Sequence, residues 1–178
     1  MTLPATLWIH LSVVGLCAIA ALTDTLHERI PNWLTLPALG VALVLHTFLQ
    51  GPMGALDAAL GAILCGAVPA ALFWAGAMGG GDVKLLAAIG ALVGYRLGLE
   101  IQLLSFVVAS VYALGMLTWH GHLWRTLHNT AALTANAFLP RNRRRHVPQE
   151  LMSKLRFGVP MLVATVLVLF AHSYVPSF

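Results

Sequence analysis

Two aspartates stand where a carboxylate is expensive. Asp24 ends the charge-free run 1–23 and opens the polar stretch DTLHERIPN, Asp24 to Asn32; Asp82 lies in MGGGDVK, Met78 to Lys84, behind the charge-free run 58–81. An ionised Asp at a membrane-helix centre costs about 2.5 to 3.5 kcal/mol on insertion scales, so acids in such surroundings are functional candidates. These two are 82 − 24 = 58 residues apart, a separation that two helices can close. Carboxylates a few ångströms apart cannot both ionise cheaply and therefore share a proton. One is then a base toward water and the other an acid toward a leaving group, with the titration belonging to the pair. That is the chemistry of an aspartic protease.

The other four acids have simpler readings. Glu28, four residues after Asp24, can share its helical face and is the runner-up acid. Asp57 and Glu100 fall near expected helix starts, where capping or the helix dipole explains them. Glu150 is a solvated counter-charge in a basic stretch. Around Asp82, Gly79, Gly80 and Gly81 can take φ > 0 and admit a foreign backbone, as an extended peptide substrate requires. They also end one span, so that Asp82 sits at a helix N-terminus. An ordinary interhelical turn with an Asp cap explains this segment equally well by itself. Lys84, two residues along a helix, points away from Asp82; headgroup anchoring is its simpler role, and holding the second turn or steering a substrate is the other.

The elements that must position these acids are apolar throughout. Of 178 residues 59% are hydrophobic and 9% charged, with a mean hydropathy of +0.84, which excludes an ordinary soluble domain. The charge-free runs 1–23, 30–56, 58–81, 101–124 and 157–178 each exceed the roughly 20 residues that cross a hydrocarbon core. A sixth candidate, 85–95, suffices only if its helix runs from about Asp82 to Gly98. The expectation is an all-α polytopic membrane protein of about six transmembrane helices, forming a single membrane domain over 1–178. Met1 to Ile9 lacks the basic region of a cleavable signal, so the first segment is expected to remain in the mature protein. Pro31 suits the first turn of the second span, and Pro37, Pro69 and Pro160 predict kinks. The small-residue patch GALDAALGAILCGA predicts close helix packing. Cys17 and Cys65 stand alone in apolar segments and read as core residues.

Seven of the ten bases, Arg125, Arg141, Arg143, Arg144, Arg145, Lys154 and Arg156, share one stretch. By the positive-inside rule this linker, about 121–156, is cytoplasmic. Counting outward, the Asp24–Asn32 and MGGGDVK turns lie on that side, and the turns over 50–56 and 95–100 and both termini on the other. HLWRTLHNTAALTANAFL within the linker can form a surface helix, and RNRRRH suits anionic lipid headgroups. Without an aromatic stacking platform, no nucleic-acid partner is expected. His120 and His122 point to different helix faces and lack a nearby cysteine or carboxylate, so no metal is expected there.

DTLHERIPN and GGGDVKLLAAIG together resemble the signatures of the type IV prepilin peptidases, bacterial members of the intramembrane GxGD aspartyl proteases. The first holds Asp24, a basic residue at Arg29, then Ile30, Pro31 and Asn32. The second holds the glycine-flanked Asp82, with Gly79 and Gly81 before it and Lys84 after. A looser match, RFGVPMLVA (Arg156 to Ala164), is similar to the family's Gly-containing start of the last span, with Arg156 in place of the usual proline. The resemblance implies Asp24 and Asp82 as catalytic dyad, with Ile30, Pro31, Asn32, Gly79, Gly81 and Lys84 as structural support.

It further implies removal of a leader from a prepilin or pseudopilin, one with a basic leader and an apolar helix. Cleavage would follow a glycine, at the cytoplasmic face of a bacterial inner membrane. Long members of the family carry two CxxC zinc-binding pairs and an N-methyltransferase activity that this sequence lacks. Peptidase activity alone is therefore expected, with no cofactor and no metal, in the manner of the tight-adherence (Flp) pilus peptidases. Two other classes remain open: a small transporter or channel, against which no span carries a polar ladder, and a non-catalytic pilus-assembly protein, against which both acids are present.

Overall fold

The computed structural model describes residues 3–119 and 157–174. All regular structure among them is α-helix: α1 Leu3–His27, α2 Asn32–Trp74, α3 Gly80–Val93, α4 Tyr95–Trp119 and α5 Gly158–Tyr174. Thr6–His27, Asn32–Trp74 and Tyr95–Gly115 are long and apolar enough to cross a membrane, and Gly158–His172 is a shorter apolar helix. The described residues up to Val108 and from Phe157 belong to one compact unit, and those from Ala109 to a second. The expected cytoplasmic linker, with its basic cluster and the pair His120 and His122, lies outside the described residues.

Helix α2 is two helices joined at a reversal. Gly51 has φ 70 and ψ −158, a conformation open essentially to glycine. The reversal can be traced through α3. Along the first half of α2, Asn32 meets Lys84 and His46 meets the carbonyl of Leu92, so this half runs parallel to α3. Along the second half, Gly61 lies against Gly90, Gly66 against Ala87 and Phe73 against Gly80, so that half runs antiparallel to it. The reversal falls inside the turn expected over 50–56. Within α2 the backbone departs from helical geometry only at Gly51, so Pro37 and Pro69 do not break it. Pro160 stands in the first turn of α5, where its missing N–H has no intrahelical acceptor to lose. Pro31 is the N-cap of α2, one position before the expected one.

The proposed continuous helix from Asp82 to Gly98 does not form. Gly94 breaks it with φ 84 and ψ 166, leaving α3 at 14 residues, or roughly 21 Å. The third run also ends sooner than expected. Gly76, at φ 76, closes α2 in a Schellman motif, with Ala77 N–H on the Leu72 carbonyl at 2.8 Å and Gly76 N–H on that of Phe73 at 2.9 Å.

Three helices converge on glycines. A Cβ at Gly61 would lie 2.1 Å from the Gly90 oxygen; one at Gly90 would lie 2.6 Å from Cys65 Sγ, and one at Gly98 2.7 Å from that sulfur. Cys65 is thus a core residue, as is Cys17, whose thiol faces Thr165 Oγ1 at 3.4 Å between α1 and α5. Large apolar side chains such as Trp8, Phe48, Trp74 and Leu103 are exposed on the outside, which explains why the helices are apolar nearly all round. Gly61→Ala should destabilise the protein by about 1–3 kcal/mol, since the overlap is with backbone. Thermal melts in detergent check this against Gly40→Ala, whose Cβ would meet nothing within 4 Å and whose melting temperature should be unchanged or slightly raised.

Candidate active site

Asp24 sits in the last turn of α1, which ends when Glu28 adopts φ 54. A left-handed residue after the last helical position is a common helix stop, and the Glu28 N–H still reaches the Asp24 carbonyl at 3.0 Å. The chain then passes through Ile30 and Pro31 into α2. Asp24 is buried, at 9% exposure, whereas Glu28 and Arg29 are exposed beyond the helix end. The structure thus separates the two acids of the first motif by burial as well as by position.

Asp82 is the third residue of α3, whose N-cap is Gly79. Its carboxylate lies back against Gly79, where an added Cβ would stand 3.0 Å from Oδ2, on the side taken by an acid in the third position of a capping box. Gly79 has φ −78 and ψ 145, and positive φ occurs at Gly76 instead of at Gly79, Gly80 or Gly81. The freedom expected of the triple glycine is therefore not used. What the missing side chains allow is close packing: a Cβ on Gly81 would lie 2.9 Å from Ile30 Cβ and 3.1 Å from the Ile30 oxygen.

Gly81 against Ile30 joins the motifs. So does the hydrogen bond from Lys84 Nζ to Asn32 Oδ1, 2.8 Å, made at the surface. Lys84 thus points away from Asp82, as its spacing predicts, and toward a partner across the helix pair, not simply toward solvent. These contacts bring the α1–α2 turn and the start of α3 to one end of the unit. Asp24 lies close enough for its charge to be felt at Asp82.

The start of α5 completes this end. Gly158 N–H donates to Asp24 Oδ2 at 2.9 Å in a buried position, and a Cβ on Gly158 would lie 2.9 Å from Ala21 Cα and 3.1 Å from Asp24 Oδ2. Reasoning from sequence did not place Gly158 among the site residues; its signal was the glycine of RFGVPMLVA. The remaining acids lie elsewhere. Asp57 is exposed within the second half of α2 and caps nothing. Glu100 pairs with His172 Nε2 at 2.9 Å, linking α4 to the far end of α5.

The described residues therefore define a helical membrane protein with two acids, from separate motifs, held near one another at one end. Residues 1–114 match the model of the type IV leader peptidase family, and the chain belongs to that family. Two curated relatives, each a prepilin leader peptidase/N-methyltransferase from Aeromonas salmonicida, one of them of strain A449, are 37% identical over 102 residues. That alignment takes in 52% of this chain and 34% of each relative, so the matching part spans about a third of their length. No solved structure matches the chain.

If Lys84 and Asn32 hold the motifs together, their substitutions should be coupled. Lys84→Met and Asn32→Ala together should cost less than the sum of the two alone, by on the order of 0.5–1 kcal/mol. A double-mutant cycle of detergent melting curves measures it.

Proposed function

We propose that the protein is a membrane aspartic endopeptidase that removes leaders from type IV prepilins or prepilin-like proteins, with Asp24 and Asp82 as its dyad. The observation that carries this reading is the meeting of the two acid-bearing motifs through Gly81 against Ile30 and Lys84 against Asn32. Family membership supplies the substrate class. Cleavage follows a glycine, at the cytoplasmic face of a bacterial inner membrane, without methylation of the new N-terminus.

The topology that suits this chemistry is six membrane segments with both termini outside, in which α3 crosses together with the two halves of α2. The short loops at Asp24–Asn32 and before Asp82, and the entry to α5, then share the cytoplasmic side. A substrate would lay its apolar helix among the segments and present an extended leader to the acids. With one proton shared by the dyad, the ionised carboxylate takes a proton from water as the oxygen attacks the scissile carbonyl. The protonated carboxyl gives its proton to the carbonyl oxygen, and a neutral gem-diol results. As this collapses, one diol hydroxyl returns its proton to the dyad and the amine leaves protonated. The C–N bond breaks and the shared proton is restored.

Incubating the full chain in detergent with a model prepilin, and weighing the products, tests the reading. The parent should release the leader and leave an unmethylated mature product. Asp24→Asn and Asp82→Asn should each slow cleavage by at least about 10²-fold. Processing at the parental rate by either variant would remove that residue from the dyad. Because only the singly protonated pair can work, the rate should also fall on both the acid and the alkaline side of an optimum.

A further inference from the structure

The dyad reading leaves open what holds Asp24 still. Asp82 stands within its own helix start, its carboxylate against Gly79 three residues before it and among the free N–H groups there. Asp24 has no such donors in its own turn. It stands in the last turn of α1, where the nearby unpaired main-chain groups are carbonyls, and these cannot donate to a carboxylate. Its buried oxygen Oδ2 is instead met by the N–H of Gly158, 134 residues away. That N–H is the first of α5 and so has no intrahelical acceptor of its own. The fit on the α5 side is also steric. Any side chain at position 158 would press on the Ala21 backbone at 2.9 Å and on Asp24 Cβ and Oδ2 at 3.1 Å. Other contacts hold α5 in register on α1, with Thr165 at Cys17, and the Phe157 ring lies 5.6 Å from that of Phe106 on α4.

We infer that Gly158 is a positioning residue of the active site: its main-chain N–H, admitted by the absence of a side chain, engages Asp24 Oδ2 and leaves Oδ1 to face water and Asp82. This rests on the dyad reading and extends it, adding to the two acid motifs a third element from the last helix. Gly158 touches no reacting atom; it acts through the orientation of Asp24. Substitution there should therefore lower kcat far more than it raises KM.

Phe157–Gly158 is the single Phe–Gly pair in the sequence. Full-length protein labelled with [13C-carbonyl]Phe and [15N]Gly, in lipid nanodiscs, therefore gives one selected amide signal. The expected result is that Asp24→Asn shifts the Gly158 amide proton clearly more than Asp82→Asn does. An amide proton indifferent to Asp24→Asn overturns the inference. In the kinetic arm, with a model prepilin, Gly158→Ala should lower kcat on the order of 10- to 100-fold with KM within about twofold. Gly40→Ala, with open space around its Cβ, should leave both near parental values. Parental kcat in Gly158→Ala also overturns the inference, and if that variant does not fold, the amide signal decides alone. If Asp24→Asn is inactive while the amide ignores it, only the role of Gly158 falls. If Asp24→Asn cleaves at the parental rate, the dyad reading falls and this inference with it.

Discussion

The close approach of Gly61 and Gly90 sets everything at the acid-bearing end. With one backbone almost touching the other, the second half of α2 fixes the height and rotation of α3, and Asp82 is carried on α3. An α-helix advances 1.5 Å and turns 100° per residue, so a slip of a single residue would swing Asp82 away from α1. The register that brings Gly61 to Gly90 also brings Phe73 to Gly80, two residues before the acid. In a membrane, where lipid tails are as apolar as the helices, such shape-specific contacts carry the burden of registration that differences in hydrophobicity carry in water.

Both acids then do structural work as well as offering chemistry. Asp82 reaches the N-cap of its own helix, and Asp24 receives the first N–H of another. Orphan donors at helix starts need partners, and here the first N–H of α5 is served by the carboxylate of Asp24. Holding the acids in place and completing the helix ends are therefore one task. The same economy shows at the surface, where Lys84 and Asn32, each flanking an acid motif, bond to each other.

Much of this was legible in the sequence for specific reasons. The acids stood out because charge is scarce, and the two motifs because each couples an acid to unusual turn residues. The cysteines read correctly as core, and the turn over 50–56 contains Gly51. Less legible was which glycine does what. Three glycines before Asp82 invite a positive φ, but Gly76 takes it, because the Schellman geometry forms where α2 ends and leaves the triple glycine to pack. The break at Gly94 was hidden inside an apolar run, since hydropathy is blind to one dihedral angle. The partners of Lys84, Glu100 and Asp24 lie 52, 72 and 134 residues away, and no local spacing encodes them.

The bond between Asp24 and Gly158 has a consequence in time. A chain is made from its N-terminus, at about 5–20 residues per second. The 158 − 82 = 76 residues that separate Asp82 from Gly158 thus take roughly 4 to 15 s to synthesise. Throughout that interval a nascent chain owns both acids, and from residue 114 onward everything in the family match, before it owns the donor for Asp24. The acids are present before their geometry is, and the later arrival of α5 closes the gap.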